Sequence, residues 1–251
     1  MSVVQELLAK IQKQIDSKNL NDSRDEKGEV IAVKDGVATI SGLNKAKFSE
    51  IIVFESGIKG LVLDLDMGSI WALILGGVDQ VNQGMTVQST GEVFSIGVGE
   101  GYLGRVVDGL GNPIDGLGDI KTKETYPVER IAPGVMTRKS VHQPLQTGIK
   151  AIDCMIPIGK GQRELIIWDR QTGKTTIAID TILNQKDDNV KCVYVAIGQK
   201  ESKIRRIVEE LKAKGAMDYT VVVNAPAHSP AVLQYIAPYI GITIAEYFLY
   251  N

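Results

Sequence analysis

The spacing of apolar residues changes along this chain, and each change marks a predicted structural region. Apolar side chains recur every three or four residues between Val4 and Ile15, which predicts a short amphipathic helix. The pattern fits packing on its own domain and packing on a partner helix equally well. The polar residues that follow indicate a linker, so residues 1–27 are predicted to form a helix and linker.

Residues 28–93 carry short apolar runs of a different period, in which inward and outward positions alternate. Asp35-Gly36 separates two such runs and is typical of a β-hairpin turn. Further runs between glycine-bearing turns predict strands at 50–54, 60–65, 70–75 and 85–89. This pattern predicts a small β-barrel domain with a scaffolding role.

From residue 94 onward, strand and helix patterns alternate, which is typical of an α/β domain with a parallel sheet. Apolar runs predict strands at 165–167, 193–197 and 220–223, and helices after Gly173, over 204–211 and after Pro230. We expect Ser229 to cap the last helix, Pro230 to occupy its first position and Pro238 to kink it. Residues 94–251 are predicted to form this domain.

The stretch from Gly99 to Gly104 has the letters of a dinucleotide-binding fingerprint, GxGxxG. That fingerprint needs a helix directly after its glycines. Here Arg105-Val106-Val107 is a strand pattern that runs into a turn rich in glycine. We therefore reject a dinucleotide site and expect this stretch to connect the barrel to the next domain.

The strongest chemical signal is the segment 168–175, Trp-Asp-Arg-Gln-Thr-Gly-Lys-Thr, between a predicted strand and a predicted helix. We call it the phosphate loop. Such a loop holds phosphate through backbone N–H groups and the positive helix end, while Lys174 adds charge and Thr175 ligates Mg²⁺. Trp168 stands where the pattern has its first glycine. It either turns into the core or distorts the loop, and we favour distortion.

A phosphate-loop hydrolase also needs an Asp at a later strand end for Mg²⁺ and a group that activates water. The strand at 193–197 runs into Gly198-Gln199, and the strand at 220–223 runs into Asn224. An amide such as that of Gln199 orients water but takes no proton. These residues predict nucleotide binding with little or no turnover, unless Gln199 is merely a solvated residue at a strand end.

Composition narrows the functional classes. Of the 251 residues, 28 are basic and 30 are acidic, and no basic run interleaves with aromatic residues, which disfavours a nucleic-acid surface. Cys154 and Cys192 lack a metal-ligand spacing and are expected to be reduced and buried, and His142 and His228 form no ligand cluster. No apolar stretch is judged long enough to span a bilayer, so any membrane association is expected to come through partners.

Several segments resemble the alpha subunit of F-type ATP synthase, and the resemblance covers essentially the whole chain. They are residues 140–148, 151–159, 161–175, 194–200 and 233–239. Asp-Arg-Gln-Thr before Gly-Lys-Thr distinguishes alpha from the catalytic beta subunit. The resemblance implies an N-terminal helix, a β-barrel crown domain and a RecA-like phosphate-loop domain with a parallel sheet, the last one incomplete.

The resemblance also implies a function. Alpha subunits bind Mg-ATP without hydrolysing it, as a regulatory part of a complex that makes ATP from a transmembrane proton gradient. No catalytic residue is expected, and the isolated chain is expected to be inactive. Matched by motif, the noncatalytic site for ATP or ADP and Mg²⁺ comprises Asp169, Arg170, Gln171, Thr172, Gly173, Lys174, Thr175, Thr176 and Gln199, with Thr175 on the metal.

The implied partners are beta subunits in an alternating ring, the gamma shaft, and delta or the peripheral stalk, which meets the N-terminal helix. The implied location is peripheral to an energy-coupling membrane, on the cytoplasmic side in bacteria or the stromal side in plastids. The start of the chain lacks a transit-like leader, which favours these origins. The chain stops before the family's magnesium-organising Asp and helical C-terminal domain, so we expect an N-terminal portion with exposed apolar surface.

Two other functions stay open. A related ring ATPase, such as a secretion motor or an RNA translocase, is disfavoured by Gln199 and by the balanced charge. An interaction module that has lost nucleotide binding is favoured by Trp168. A nucleotide titration distinguishes these alternatives.

Overall fold

The computed structural model describes residues 27–251, so the predicted helix over residues 4–15 lies outside the described part. Lys27, the last residue of the predicted linker, already belongs to the first strand. The chain divides into two compact units, of which the first ends at Val93 and the second spans Phe94–Asn251.

The first unit contains a closed barrel of six antiparallel strands in the order β1-β2-β5-β4-β3-β6, which confirms the predicted β-barrel. Asp35 and Gly36 both have left-handed φ angles, 52° and 80°, as a tight hairpin turn requires. Alternate residues such as Ile40, Ile52 and Phe54 point inward and are buried. The strands are β1 (Lys27–Lys34), β2 (Val37–Ser41), β3 (Glu50–Phe54), β4 (Lys59–Asp66), β5 (Ser69–Ile74) and β6 (Thr86–Val93).

The second unit is built around a parallel sheet of three strands in the order β12-β13-β8, which confirms the predicted parallel sheet. Two antiparallel pairs, β7 with β9 and β10 with β11, accompany it. The strands are β7 (Ser95–Val98), β8 (Val106–Val107), β9 (Glu124–Pro127), β10 (Pro144–Leu145), β11 (Ile158–Gly159), β12 (Cys192–Ile197) and β13 (Thr220–Ala225). The helices are α1 (Lys150–Met155), α2 (Lys174–Leu183), α3 (Glu201–Ala213) and α4 (Ala231–Tyr250).

Helices cover both faces of the parallel sheet. On one face, α2 and α3 pack through Ile179, Ile204 and Leu211 against Ala196 and Val222. On the other face, α4 packs on β12 and β13. A Cβ on Gly241 of α4 would clash with a methyl group of Val195, so glycine is needed there for the close approach of helix and strand.

The predicted strand at 165–167 is wrong. The segment has no regular secondary structure, and Leu165 and Ile167 are 81% and 76% exposed. In the described part of the chain, no strand pairs with it. A strand is stable only when a neighbour accepts its backbone hydrogen bonds and covers its side chains, and these residues have neither.

The start of α4 also differs from the prediction by one residue. Pro230 is the N-cap and the helix begins at Ala231, with no side-chain cap. Ser229 contributes its carbonyl oxygen, which accepts a hydrogen bond from Gln234 Nε2 at 2.9 Å. The helix continues through Pro238 to Tyr250. Helix α3 ends at Ala213, and Gly215 just beyond it has a left-handed φ of 71°, as is common after a helix C-terminus.

The expectation that no stretch is long enough to span a bilayer is also wrong. By its 20-residue length and mean hydropathy of 1.3, α4 is long and apolar enough to cross a membrane. The same helix supplies Ile236, Ile240 and Ile244 to the buried core beside the sheet. A core helix that packs against a sheet passes the same test of length and composition.

Both cysteines are free thiols, as expected. They were also expected to be buried, and only Cys192 is partly buried. Cys154 is exposed, contrary to the prediction, because it lies on the short surface helix α1. Cys192 is half-buried, and burial raises the pKa of its thiol to about 11. The thiol of Cys192 is therefore protonated at neutral pH.

The strand predicted directly after Gly99–Gly104 is confirmed. A single 3₁₀ turn over Glu100–Tyr102 is followed by β8 rather than by an α-helix. Strand β8 pairs with β13 at the edge of the parallel sheet. Gly99–Gly104 therefore lies within the second unit and leads into its edge strand, contrary to the expectation that it connects the barrel to that unit.

Candidate functional site

The phosphate loop leads directly into α2. Gly173 is the N-cap of the helix, with a left-handed φ of 95°, and no side chain caps the first turn. The first backbone N–H groups of a helix have no partner within the helix and attract anions. A Cβ on Gly173 would meet nothing within 4 Å. The start of α2 therefore offers backbone donors and has open space beside Gly173, and both features fit a phosphate group.

Hydrogen bonds fold the loop back on itself. Lys174 Nζ donates to the carbonyl oxygen of Trp168 at 2.7 Å. Thr172 Oγ1 donates to the carbonyl oxygen of Asp169 at 2.8 Å, and Arg170 N donates to Asp169 Oδ1 at the same distance. Lys174, which is expected to bind phosphate, is therefore bonded to Trp168, the first residue of the loop.

Trp168 lies on the surface. Its side chain is 73% exposed, so the alternative in which it turns into the core is wrong. Within the loop, left-handed φ angles occur at Gln171, 61°, and at Gly173, and Trp168 is not among the residues with positive φ. The residue with a side chain that adopts the costly left-handed conformation in this loop is therefore Gln171.

A contact that the sequence did not reveal joins the loop to α3. Lys203 Nζ donates to Thr175 Oγ1 at 3.3 Å. Helix α3 follows the carboxyl end of β12, so this contact brings the start of α2 to the carboxyl edge of the sheet. A basic residue in the first turn of a helix is unfavourable beside the helix dipole, and that unusual position of Lys203 was the signal available in the sequence.

Gln199 lies at the same edge of the sheet, two residues after β12 ends. Its Nε2 lies 3.5 Å from Tyr194 Oη, and its backbone oxygen accepts a hydrogen bond from Ala227 N at 3.1 Å. Its Oε1 is buried and has no hydrogen-bond partner among the described residues. The amide thus has an acceptor without a partner among the described residues, and it carries no group that could act as a base.

A separate cleft of about 290 Å³ lies between α3 and β8. Asn224, which is 5% exposed, and Asp115 line it. Asp115 forms a two-pronged ion pair with Arg105, with distances of 2.6 Å and 2.8 Å. The hydrogen bond from Arg105, reinforced by those from Val106 N and Leu117 N, holds the pKa of Asp115 well below its usual range. This cleft contains no residue of the phosphate loop.

The described part of the chain contains no group of three or more His, Cys, Asp or Glu residues that could hold a metal ion. Any Mg²⁺ near Thr175 would therefore take most of its ligands from phosphate and water, as Mg²⁺ commonly does. The described contacts place the hydroxyl of Thr175 beside the ammonium of Lys203.

Comparison with protein families decides the identity of both units. The model of the ATP synthase alpha/beta family nucleotide-binding domain matches residues 148–251. The model of the beta-barrel domain of the same family matches residues 24–91. The chain belongs to the ATP synthase alpha/beta family.

The two matches account for the order of the domains in this ATP synthase family member, a barrel followed by a nucleotide-binding domain with a parallel sheet. The match to the nucleotide-binding domain contains the phosphate loop, Gln199 and Lys203. Both descriptions name alpha and beta together, so they establish the nucleotide-binding family and not the subunit type.

Proposed function

We propose that this chain is the noncatalytic, regulatory alpha subunit of an F-type ATP synthase, which binds ATP or ADP at the phosphate loop and does not hydrolyse it. The proposed site comprises the residues from Asp169 to Thr176, together with Gln199. Thr175 would contribute its hydroxyl to Mg²⁺. In the complex, the chain would support ATP synthesis driven by a transmembrane proton gradient.

The observation that carries this proposal is the amide of Gln199 at the carboxyl end of β12. A hydrolytic site needs a group there or nearby that positions water and accepts its proton. An amide at this position cannot act as a base. The site is therefore suited to holding a nucleotide without hydrolysing it.

The phosphate loop supports the binding half of the proposal. The uncapped first turn of α2, the open space at Gly173 and the ammonium of Lys174 together suit an anion. For Lys174 to reach a phosphate, its hydrogen bond to the oxygen of Trp168 has to open or be shared. Binding should therefore rearrange the loop around Trp168.

The partners and the location follow from the same proposal. The chain would alternate with beta subunits around a gamma shaft, and the helix predicted near its N-terminus would meet delta or the peripheral stalk. It would reach the membrane only through this complex, on the cytoplasmic face of a bacterial membrane or the stromal face of a plastid membrane.

Co-expression with a beta subunit, followed by size-exclusion chromatography, tests the ring contact. Separate elution of the two chains would contradict it.

The fate of bound ATP tests the central part of the proposal. The chain is incubated with ATP labelled on the γ-phosphate and Mg²⁺, separated from free nucleotide, and the bound label is identified over time. We expect intact ATP on the protein and no phosphate release above that of the Lys174→Ala variant. Lys174-dependent phosphate release would instead support a hydrolytic ring ATPase. Absence of bound nucleotide would support an interaction module.

A further inference from the structure

The cleft between α3 and β8 contains a buried polar side chain without a partner. Asn224 lies in β13, two residues after Val222, which packs in the same cluster as Ile204 of α3. Alternate residues of a strand point to the same face of a sheet, so Asn224 points to the α3 side, where it lines the cleft. Asn224 is 5% exposed, and its Oδ1 has no hydrogen-bond partner among the described residues. A donor from a ligand would remove the cost of this buried acceptor.

Asp115, which also lines the cleft, is already occupied by the protein. Its carboxylate accepts two hydrogen bonds from Arg105 and one each from the backbone N–H groups of Val106 and Leu117. The amide of Asn224 offers an acceptor oxygen next to an NH₂ donor. Asn224 is therefore the residue that a ligand in this cleft would recognise by hydrogen bonds.

Apolar side chains form the two sides of the cleft. Ile204 and Val208 come from α3, while Val106 lies in β8 and Ile114 follows β8 along the chain. Ile114 is 50% exposed and lies at the mouth of the cleft. The volume of about 290 Å³ is at the lower end of the range for ligand pockets, about 300–1,000 Å³. The cleft therefore suits a flat molecule of one or two rings.

The charged side chains at the cleft cancel one another. Helix α3 contributes two acidic and two basic residues there, Glu201, Arg205, Glu209 and Lys212. Acidic and basic residues alternate along this face of the helix, so the cleft has no net charge to attract an anion or a cation. A neutral ligand fits better than one that carries phosphate groups.

We propose that this cleft binds the adenine base of a nucleoside through a two-point contact with Asn224. Adenine presents the N6 amino donor beside the N7 acceptor, and asparagine pairs with both atoms through Oδ1 and Nδ2. The torsion about the Cβ–Cγ bond of asparagine is soft, so the amide can turn its edge to the base. No residue of the phosphate loop lines the cleft, so this site is independent of the nucleotide site proposed above.

The test is a titration of the full chain with adenosine, followed by saturation-transfer NMR. Purine riboside keeps the ring nitrogens of adenosine but lacks the amino group, and it should bind wild type about tenfold more weakly. Asn224→Leu removes both hydrogen-bonding groups at similar volume. This variant should bind adenosine at least tenfold more weakly than wild type does and should bind the two nucleosides equally.

Thr220→Val is the matched control. Thr220 is also buried in β13 and its Oγ1 also has no partner among the described residues, but it does not line the cleft. The affinity for adenosine should therefore stay at the wild-type value. Urea midpoints of Thr220→Val and Asn224→Leu should not fall below that of wild type, because neither substitution removes a hydrogen bond.

A variant at the mouth of the cleft gives a second measurement. Ile114→Ala removes part of an apolar side and should weaken adenosine binding at least threefold. If Asn224→Leu does not fold, unchanged affinity of Ile114→Ala would overturn the inference. Equal affinity of wild type for the two nucleosides would overturn it, and so would wild-type affinity of folded Asn224→Leu for adenosine. The absence of saturable adenosine binding would overturn it too, while leaving nucleotide binding at the phosphate loop unaffected.

Discussion

The ammonium of Lys174 donates a hydrogen bond to the carbonyl oxygen of Trp168 at 2.7 Å and so closes the phosphate loop across its own beginning. The same ammonium is the group expected to bind a phosphate. Nucleotide binding and this internal hydrogen bond therefore both use the side chain of Lys174. Any ligand that recruits Lys174 must change the surroundings of Trp168.

Trp168 should report on nucleotide binding. The chain has two tryptophans, so Trp71→Phe on β5 leaves Trp168 as the sole indole. In that background, titration with MgATP should change the emission of Trp168 in a saturable way, and Lys174→Ala should abolish the change. Calorimetric binding without any change in emission would contradict the rearrangement.

Replacing Trp168 by glycine should have little effect on affinity. Lys174 contacts the backbone oxygen of residue 168, which glycine also supplies, and the indole is 73% exposed. We expect the dissociation constant of Trp168→Gly for MgATP to stay within about threefold of wild type, less than 1 kcal/mol. A gain of two orders of magnitude would show that the indole blocks the site.

Gly173 should be required because its backbone conformation is left-handed, and not because a side chain would clash there. A Cβ there meets nothing within 4 Å, but its φ of 95° is left-handed. Gly173→Ala should lower the free energy of unfolding by about 1–2 kcal/mol. Gly134 also has open space, but its φ is −66°, so Gly134→Ala is the matched control and should be neutral or slightly stabilising. Equal effects in urea denaturation would contradict this account.

The ion pair of Arg105 and Asp115 should make stability depend on acidic pH. The two side chains are only 12% and 5% exposed, and the pair lowers the pKa of Asp115 in the folded state. A lowered carboxyl pKa stabilises the fold above the unfolded-state pKa of about 4 and loses that stabilisation as the pH falls towards the folded-state value.

Two variants test this ion pair. Arg105→Ala should cost about 3 kcal/mol at neutral pH, because it leaves a buried carboxylate without its partner. Asp115→Asn should flatten the loss of stability between about pH 5 and pH 3. The exposed pair of Lys214 and Glu210 supplies the control, since Glu210→Gln should cost less than about 0.5 kcal/mol. Urea unfolding across the pH range measures all three.

The sequence pattern predicted the barrel well because its signals are local. Asp35-Gly36 specifies its turn from two residues, and alternation of apolar and polar positions fixes which face of each strand is inward. Strand β3 was predicted with the bounds that the structure has, Glu50–Phe54. The helices α2 and α3 were likewise indicated by Gly173 and by the apolar spacing from Ile204 to Leu211.

The errors arose where structure depends on distant residues. The apolar run at 165–167 has the composition of a strand, but pairing requires a neighbour that is absent among the described residues. The contact between Lys203 and Thr175 joins residues that are 28 positions apart, so it depends on how α2 and α3 pack. Periodicity alone gives neither of these relationships.

The most direct test of nucleotide binding at the phosphate loop is a calorimetric titration of the full chain with MgATP. We predict one nucleotide per chain and at least a tenfold weaker dissociation constant for Lys174→Ala, which loses a charge-assisted phosphate contact. Lys186→Ala, a substitution just beyond the opposite end of α2, should bind as wild type does. The absence of saturable binding by wild type, or equal binding by Lys174→Ala, would contradict the account.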